Sequence, residues 1–156
     1  MWKKVFLVFI ALFIAAQFIR TPKNEGLPMM GNDLFQLHSA PVAVRSAIQN
    51  SCYDCHSNHT RYPWYAEIQP VSWWLGQHVT EGKEHLNFSE FGHLEPRRAA
   101  RKLEDSIEQI EDDAMPLPSY LWQHRSARLT DDQKKAVNEW LENLELSLRP
   151  EGEKAE

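Results

Sequence analysis

Hydrophobic positions divide the 156-residue chain into one unbroken apolar run and several stretches of helical periodicity. Val5 to Ile19 is apolar except for Gln17; it follows Lys3 and Lys4 and closes at Arg20. This is the pattern of an export or anchoring segment. At about 1.5 Å per residue the run reaches roughly 22 Å, against about 30 Å for a bilayer core, so length alone leaves a signal peptide and an anchor open. A cleavage site wants small residues at both specificity positions, yet Ala15 and Ala16 are flanked by Ile14, Gln17 and Phe18. The expectation is an uncleaved N-terminal transmembrane helix within residues 1–20. Lys3 and Lys4 then stay cytoplasmic, and everything after Arg20 faces outward, in the periplasm or outside.

Thr21 to Asn32 holds Pro22, Gly26, Pro28 and Gly31 without periodicity, which reads as a tether; with residues up to 37 it makes a linker over 21–37. Pro41 to Gln49 predicts a short helix, with Pro41 at its start and Val44, Ala47 and Ile48 on one face. A second helix begins at Pro70, carries Val71, Trp74, Leu75 and Val79 at helical spacing, and is expected to stop near Gly82. A third begins at Pro96 and turns Ala100, Leu103, Ile107 and Ile110 inward, with charges mostly outward. The last has Thr130 as N-cap, Gln133 as its capping-box partner, and a stripe of Val137, Trp140, Leu141, Leu144 and Leu148. No segment alternates with period two. The fold class is therefore all-α, with one small domain over 38–149 and a charged tail over 150–156.

Composition sharpens this in two ways. Six Trp against six Gly suits bulky side chains packed around something large. A net charge of −5, with no clustered basic face, excludes nucleic acid as a partner.

The candidate chemistry sits at Cys52-Tyr53-Asp54-Cys55-His56. Two thiols separated by two residues reach one porphyrin edge and add across the vinyl groups of haem; the adjacent His then coordinates iron. A structural zinc site would need a second pair of ligands, and a thioredoxin-like redox pair belongs on a βαβ pattern. Neither is present. Covalent haem attachment is an extracytoplasmic process, which agrees with the outward orientation.

A second axial ligand is needed for electron transfer, and the donors are Met or His. Met115, followed by Pro116, Leu117 and Pro118, lies in a stiffened extended loop able to hold one side chain over the distal face. His78 is its rival, on the face of the second helix shared with Trp74 and Val71; His124 is another. His38, His59, His85 and His93 have polar or loop surroundings and read as surface residues. Met29 and Met30, in the tether, are weak candidates.

The residues 52–65, Cys-Tyr-Asp-Cys-His-Ser-Asn-His-Thr-Arg-Tyr-Pro-Trp-Tyr, followed by Ile68-Gln69-Pro70-Val71-Ser72-Trp73-Trp74, resemble the central signature of a bacterial family of small haem-binding domain proteins. Gln17 to Pro22, Gly82 with Leu86 to Ser89, and Met115-Pro116 with Tyr120 and His124 are similar too. The resemblance implies a cytochrome c-like domain with one haem c, His56 as proximal ligand and Met115 as distal ligand. It names no substrate and no redox partner. Tyr62, Trp64 and Trp74, with Tyr65 and Trp73, are then expected to wall the haem pocket and exclude water. Pro63 or Pro70 is the expected carbonyl acceptor for the free nitrogen of His56. The function expected is electron transfer to a partner protein at the outer face of the cytoplasmic membrane, by a carrier rather than an enzyme. The alternative is a haem-based sensor of small ligands or a peroxidase-like enzyme, with His78 or His124 as acid–base group.

Overall fold

The capping signals and apolar stripes fold into helices close to where they are read. The computed structural model describes residues 1–27 and 31–150. Met29, Met30 and the tail beyond Pro150 lie outside the described residues. Among the described residues the helices are α1 (Trp2–Ala16), α2 (Leu34–Leu37), α3 (Val42–Ser51), α4 (Tyr53–His56), α5 (Val71–His85), α6 (Pro96–Glu111), α7 (Pro118–Gln123) and α8 (Asp131–Leu148). Short 3-10 turns occupy Trp64–Glu67, Phe88–His93 and Arg125–Ala127. Pairing of β type is limited, among the described residues, to one isolated bridge between Glu25 and His59. The class is all-helical.

The core forms where α6 and α8 pack lengthwise, with α3 laid against α8. From α6 come Ala99, Leu103 and Ile110, from α8 Val137, Leu141 and Leu144, and from α3 Val44 and Ile48, all buried. Each set follows the 3.6-residue repeat, so one stripe per helix leaves water. The α8 start is secured as its sequence predicts: Thr130 Oγ1 accepts from the Gln133 amide at 3.2 Å, and Gln133 Oε1 accepts from the Thr130 amide at 2.9 Å.

Two boundaries differ from the sequence expectation. The linker over 21–37 is not all tether, because Asp33, Leu34 and Phe35 are buried in the core. Asp33 caps α2 by accepting from the Phe35 amide at 2.9 Å, and the phenol of Tyr53 donates to both its carboxylate oxygens at 3.2 Å. Phe35 and Phe88 stack on either side of Tyr53. A short polar-looking stretch thus supplies the aromatic floor beneath α4. The second difference is Gly82, which does not end its helix: α5 continues to His85. A Cβ at Gly82 would stand 2.8 Å from the Cys55 carbonyl oxygen and 3.2 Å from the Cys55 Cβ. Gly is there because α5 lies directly on α4.

At the N-terminus, α1 has fifteen residues, none of them buried. No helix among the described residues is long and apolar enough to cross a membrane, so the expected transmembrane helix is not found. The physical reason is local. Gln17 turns its amide back to the Phe13 carbonyl at 3.0 Å, and the Ile19 carbonyl accepts from Gln69 Nε2 at 2.8 Å and from Trp73 Nε1 at 2.9 Å. The end of the apolar run leaves the helix to bond the domain. Arg20 donates to the Glu67 carbonyl at 2.9 Å, and Lys23 pairs with the Glu67 carboxylate.

Truncating Leu34 to Ala separates a tether from a core element. The expected cost is about 2–5 kcal/mol in urea denaturation, as for a fully buried Leu; a tether position would cost close to nothing.

Candidate functional site

One turn of helix explains the motif's spacing. α4 follows α3 after the single residue Cys52, and the Cys52 carbonyl accepts from the Cys55 amide at 3.2 Å and the His56 amide at 3.0 Å. Residues three and four apart on a helical turn share a face, so both thiols and the imidazole open toward one side. That side is a cavity of about 520 Å³ lined by Cys52, Cys55, His56, His78, Met115 and Tyr120. Its apolar walls are Ile48, Leu86, Phe88, Ile110, Val137 and Leu141, and Lys102 and His85 stand among charged residues at its margin. From α5 the cavity is bordered by His78, Glu81, Gly82 and His85, none of them buried.

His56 is set for ligation. Its Nδ1 lies 2.9 Å from the Leu86 carbonyl. A carbonyl only accepts, so Nδ1 carries the hydrogen and Nε2 is left bare. Burial pushes the imidazole below the usual His range, which keeps it neutral, the state a metal ligand needs. The acceptor is Leu86 rather than Pro63 or Pro70. The Pro63 carbonyl already accepts from Ala66 at 3.0 Å, and that of Pro70 from Trp74 at 3.2 Å. Leu86 is free to serve because α5 ends there.

Burial also pushes the thiol of Cys52 up to about 12 and that of Cys55 up to about 11. Reactive dithiols of the thioredoxin kind have thiol pKa values lowered by their surroundings, so the pair does not suit that chemistry. Nor does any group of three or more His, Cys, Asp or Glu side chains gather as metal donors among the described residues. The donors present are two thiols, an imidazole and a thioether around an apolar space. Those suit haem, since Cys52, Cys55, His56, Met115 and His78 all border the same cavity.

The loop carrying Met115 is held from below. The Ala114 and Met115 amides both donate to the Gln109 carbonyl at 3.0 Å. Asp113, at φ 56°, turns the chain out of α6 in the left-handed region that Asp tolerates, and its carboxylate pairs with Lys134. His78 bonds its Nδ1 to the Trp74 carbonyl at 2.9 Å and lies 4.4 Å, ring to ring, from Trp74.

The aromatic wall is corrected in its membership. Tyr62, Trp64 and Trp74 are not among the residues lining this cavity. Tyr62 is drawn away by the Asn24 amide, which donates to its hydroxyl at 2.8 Å, with Lys23 over its ring. Trp64 is 78% exposed, and it shares with Trp74 and His124 an adjoining groove. The aromatic residues at the cavity itself are Phe88 and Tyr120. His85, read from sequence as a surface residue, is exposed but borders the cavity.

Sequence reasoning missed Asp54, the most consequential polar residue of the turn. It is buried. Arg61 grips its carboxylate through Nε at 2.9 Å and Nη2 at 3.1 Å, and Tyr120 donates to it at 2.7 Å. Its backbone carbonyl accepts from Thr60 at 2.6 Å. The signal was legible: an Asp inside an apolar attachment motif must be paired, and Arg61 is the first cation after it.

Compared with known proteins, residues 11–143 match a family described as a haem-binding domain. No curated protein and no solved structure matches the chain.

Tyr120→Phe removes one hydrogen bond to a buried carboxylate and is expected to cost about 1.5–3 kcal/mol. Arg61→Gln is expected to cost less, about 1 kcal/mol, since its side chain is 60% exposed and largely screened. Chemical denaturation of the two variants side by side checks the order.

Proposed function

This chain belongs to the haem-binding domain family, and from that premise we propose that it is a single-haem c-type electron carrier at the outer face of the cytoplasmic membrane. The observation that carries the reading is the convergence of two thiols, an oriented neutral imidazole and a Met thioether on one apolar cavity. When bound there, haem supplies a one-electron couple at iron.

The protein residues do the rest. Cys52 and Cys55 would hold the group through its vinyl substituents, each S–H adding across one double bond without loss of atoms. The Leu86 carbonyl orients His56 and makes its Nε2 a stronger donor. Met115 would offer its thioether to the iron, and a thioether donor raises the potential above that of two imidazoles. Phe88, Val137 and Leu141 keep water from the site, which lowers the local dielectric. The sensor or peroxidase reading retains one supporting observation: His78, an acid–base group, lines the same cavity.

Location is part of the proposal. The side chains of α1 are left uncovered by the domain, which supports lipid around them, and Lys3 and Lys4 favour a cytoplasmic start. The redox partner is then a protein or small carrier of the outer compartment.

Replacing both Cys52 and Cys55 by Ala is expected to abolish haem that resists extraction by acidic acetone; haem surviving that treatment would refute attachment. Met115→Ala should lower the reduction potential and let carbon monoxide bind the reduced iron, whereas an unchanged potential would assign the distal position to His78. Wild-type reduced protein should resist carbon monoxide at neutral pH, and rapid stoichiometric binding would overturn the carrier reading.

A further inference from the structure

Beside the haem cavity lies a second concavity of about 570 Å³, unused by the reading above. Cys55, His78, Leu117 and Tyr120 border both spaces, so the two are separated by a wall one side chain thick, and that wall includes an attachment thiol. The groove's apolar walls are Trp64, Val71, Trp74, Leu75 and Trp122. Trp64 is 78% exposed, Trp122 76% and Trp74 47%. Single exposed apolar residues are ordinary, but three exposed indoles around one concavity mark a binding surface.

Among the groove's polar groups, Asp54 and Arg61 are paired with each other, Thr60, Ser119 and Gln123 border it, and two imidazoles offer acceptors. His124 Nδ1 lies 3.2 Å from the Tyr120 carbonyl, and His78 Nδ1 lies 2.9 Å from the Trp74 carbonyl. Both partners can only accept, so each Nδ1 carries the hydrogen and each Nε2 is a bare acceptor. The His124 ring is held flat against Tyr120, 4.2 Å between centroids at 13°. Indole walls with two acceptors suit a flat apolar ring that carries hydroxyl donors, and the volume lies within the usual range for small-molecule sites of about 300–1,000 Å³. The position narrows the ligand further. The turn Trp64–Glu67 and the start of α5, which form one side of the groove, also hold the exit of α1 through the Arg20–Glu67, Ile19–Trp73 and Thr21–Ser72 bonds. With lipid around α1, as the carrier reading has it, a ligand dissolved there would reach the exposed indoles.

We propose that this groove binds the hydroquinone ring of a membrane quinol and is where electrons reach the haem. The inference rests on the electron-carrier reading and names its donor. One hydroquinone breaks two O–H bonds, releases two protons to solvent at the open mouth of the groove, and becomes a quinone. Its two electrons reduce two ferric haems, either on two protein molecules or on one that an external one-electron acceptor reoxidises between transfers.

The test uses purified holoprotein in detergent with a decyl-tailed benzoquinone and its hydroquinone. Anaerobic calorimetry on the reduced protein should show saturable binding of one hydroquinone per protein. The hydroquinone should reduce two ferric haems per molecule, followed by absorbance. Trp122→Ala and His124→Phe should each weaken hydroquinone binding about tenfold and slow reduction by the hydroquinone to match, while the dithionite-reduced haem spectrum stays that of wild type. Trp122 is mostly exposed, so its removal leaves the core intact. Absence of saturable hydroquinone binding, or unchanged binding in both variants, overturns the groove and leaves the carrier reading standing. Rapid binding of carbon monoxide overturns the carrier reading and the transfer step with it, whatever the calorimetry shows.

Discussion

A carboxylate buried one residue before a cysteine that has to be held in place is a costly arrangement unless every lone pair finds a donor. In this chain the cost is offset at Asp54, and the manner of that offset organises the site. Arg61 draws the loop after α4 back across it, and Tyr120 brings α7, five residues beyond Met115, to the same point. The two sides of the cavity are thereby referred to a single side chain. Thr60, through the Asp54 carbonyl, and Asn24, through Ser57 and Thr60, extend the network to the segment that follows α1. Networks of this kind rigidify when every member is satisfied, and what is held rigid here is the separation between the His56 side and the Met115 side.

The α5 helix is the second organiser. Its contact with α4 is set by the absence of a side chain at Gly82, and its end supplies the Leu86 carbonyl to His56. One helix therefore determines both the depth of the turn and the orientation of the imidazole. Its inward face packs little protein, which is what a helix bordering two concavities has to do. Of the two indoles in its first turns, Trp74 borders the groove and Trp73 holds the Ile19 carbonyl at the exit of α1.

That contrast shows where the sequence was legible. Caps and stripes of α6 and α8 act within a few residues of themselves, so their boundaries and inward faces follow from local periodicity. The motif Cys52, Cys55, His56 is also local, since one helical turn gathers it. What escaped was every assignment that depends on distant partners. Asp33, Leu34 and Phe35 look like tether because the aromatic ring they support, Tyr53, lies far along the chain. Trp64 and Trp74 look like pocket wall because side-chain size alone does not say which of two adjoining concavities a ring borders. Leu86 has no polar side chain to announce it, and its role lies in a backbone carbonyl left over at a helix end.

The closeness of Gly82 to the Cys55 carbonyl also sets how little change this site tolerates. A side chain at position 82 would meet backbone rather than a flexible side chain, so any larger residue has to lift α5 off α4. The Leu86 carbonyl, at the end of the same helix, would be carried away from His56 by that movement. The dimensions of the site are therefore held by an atom the sequence leaves out.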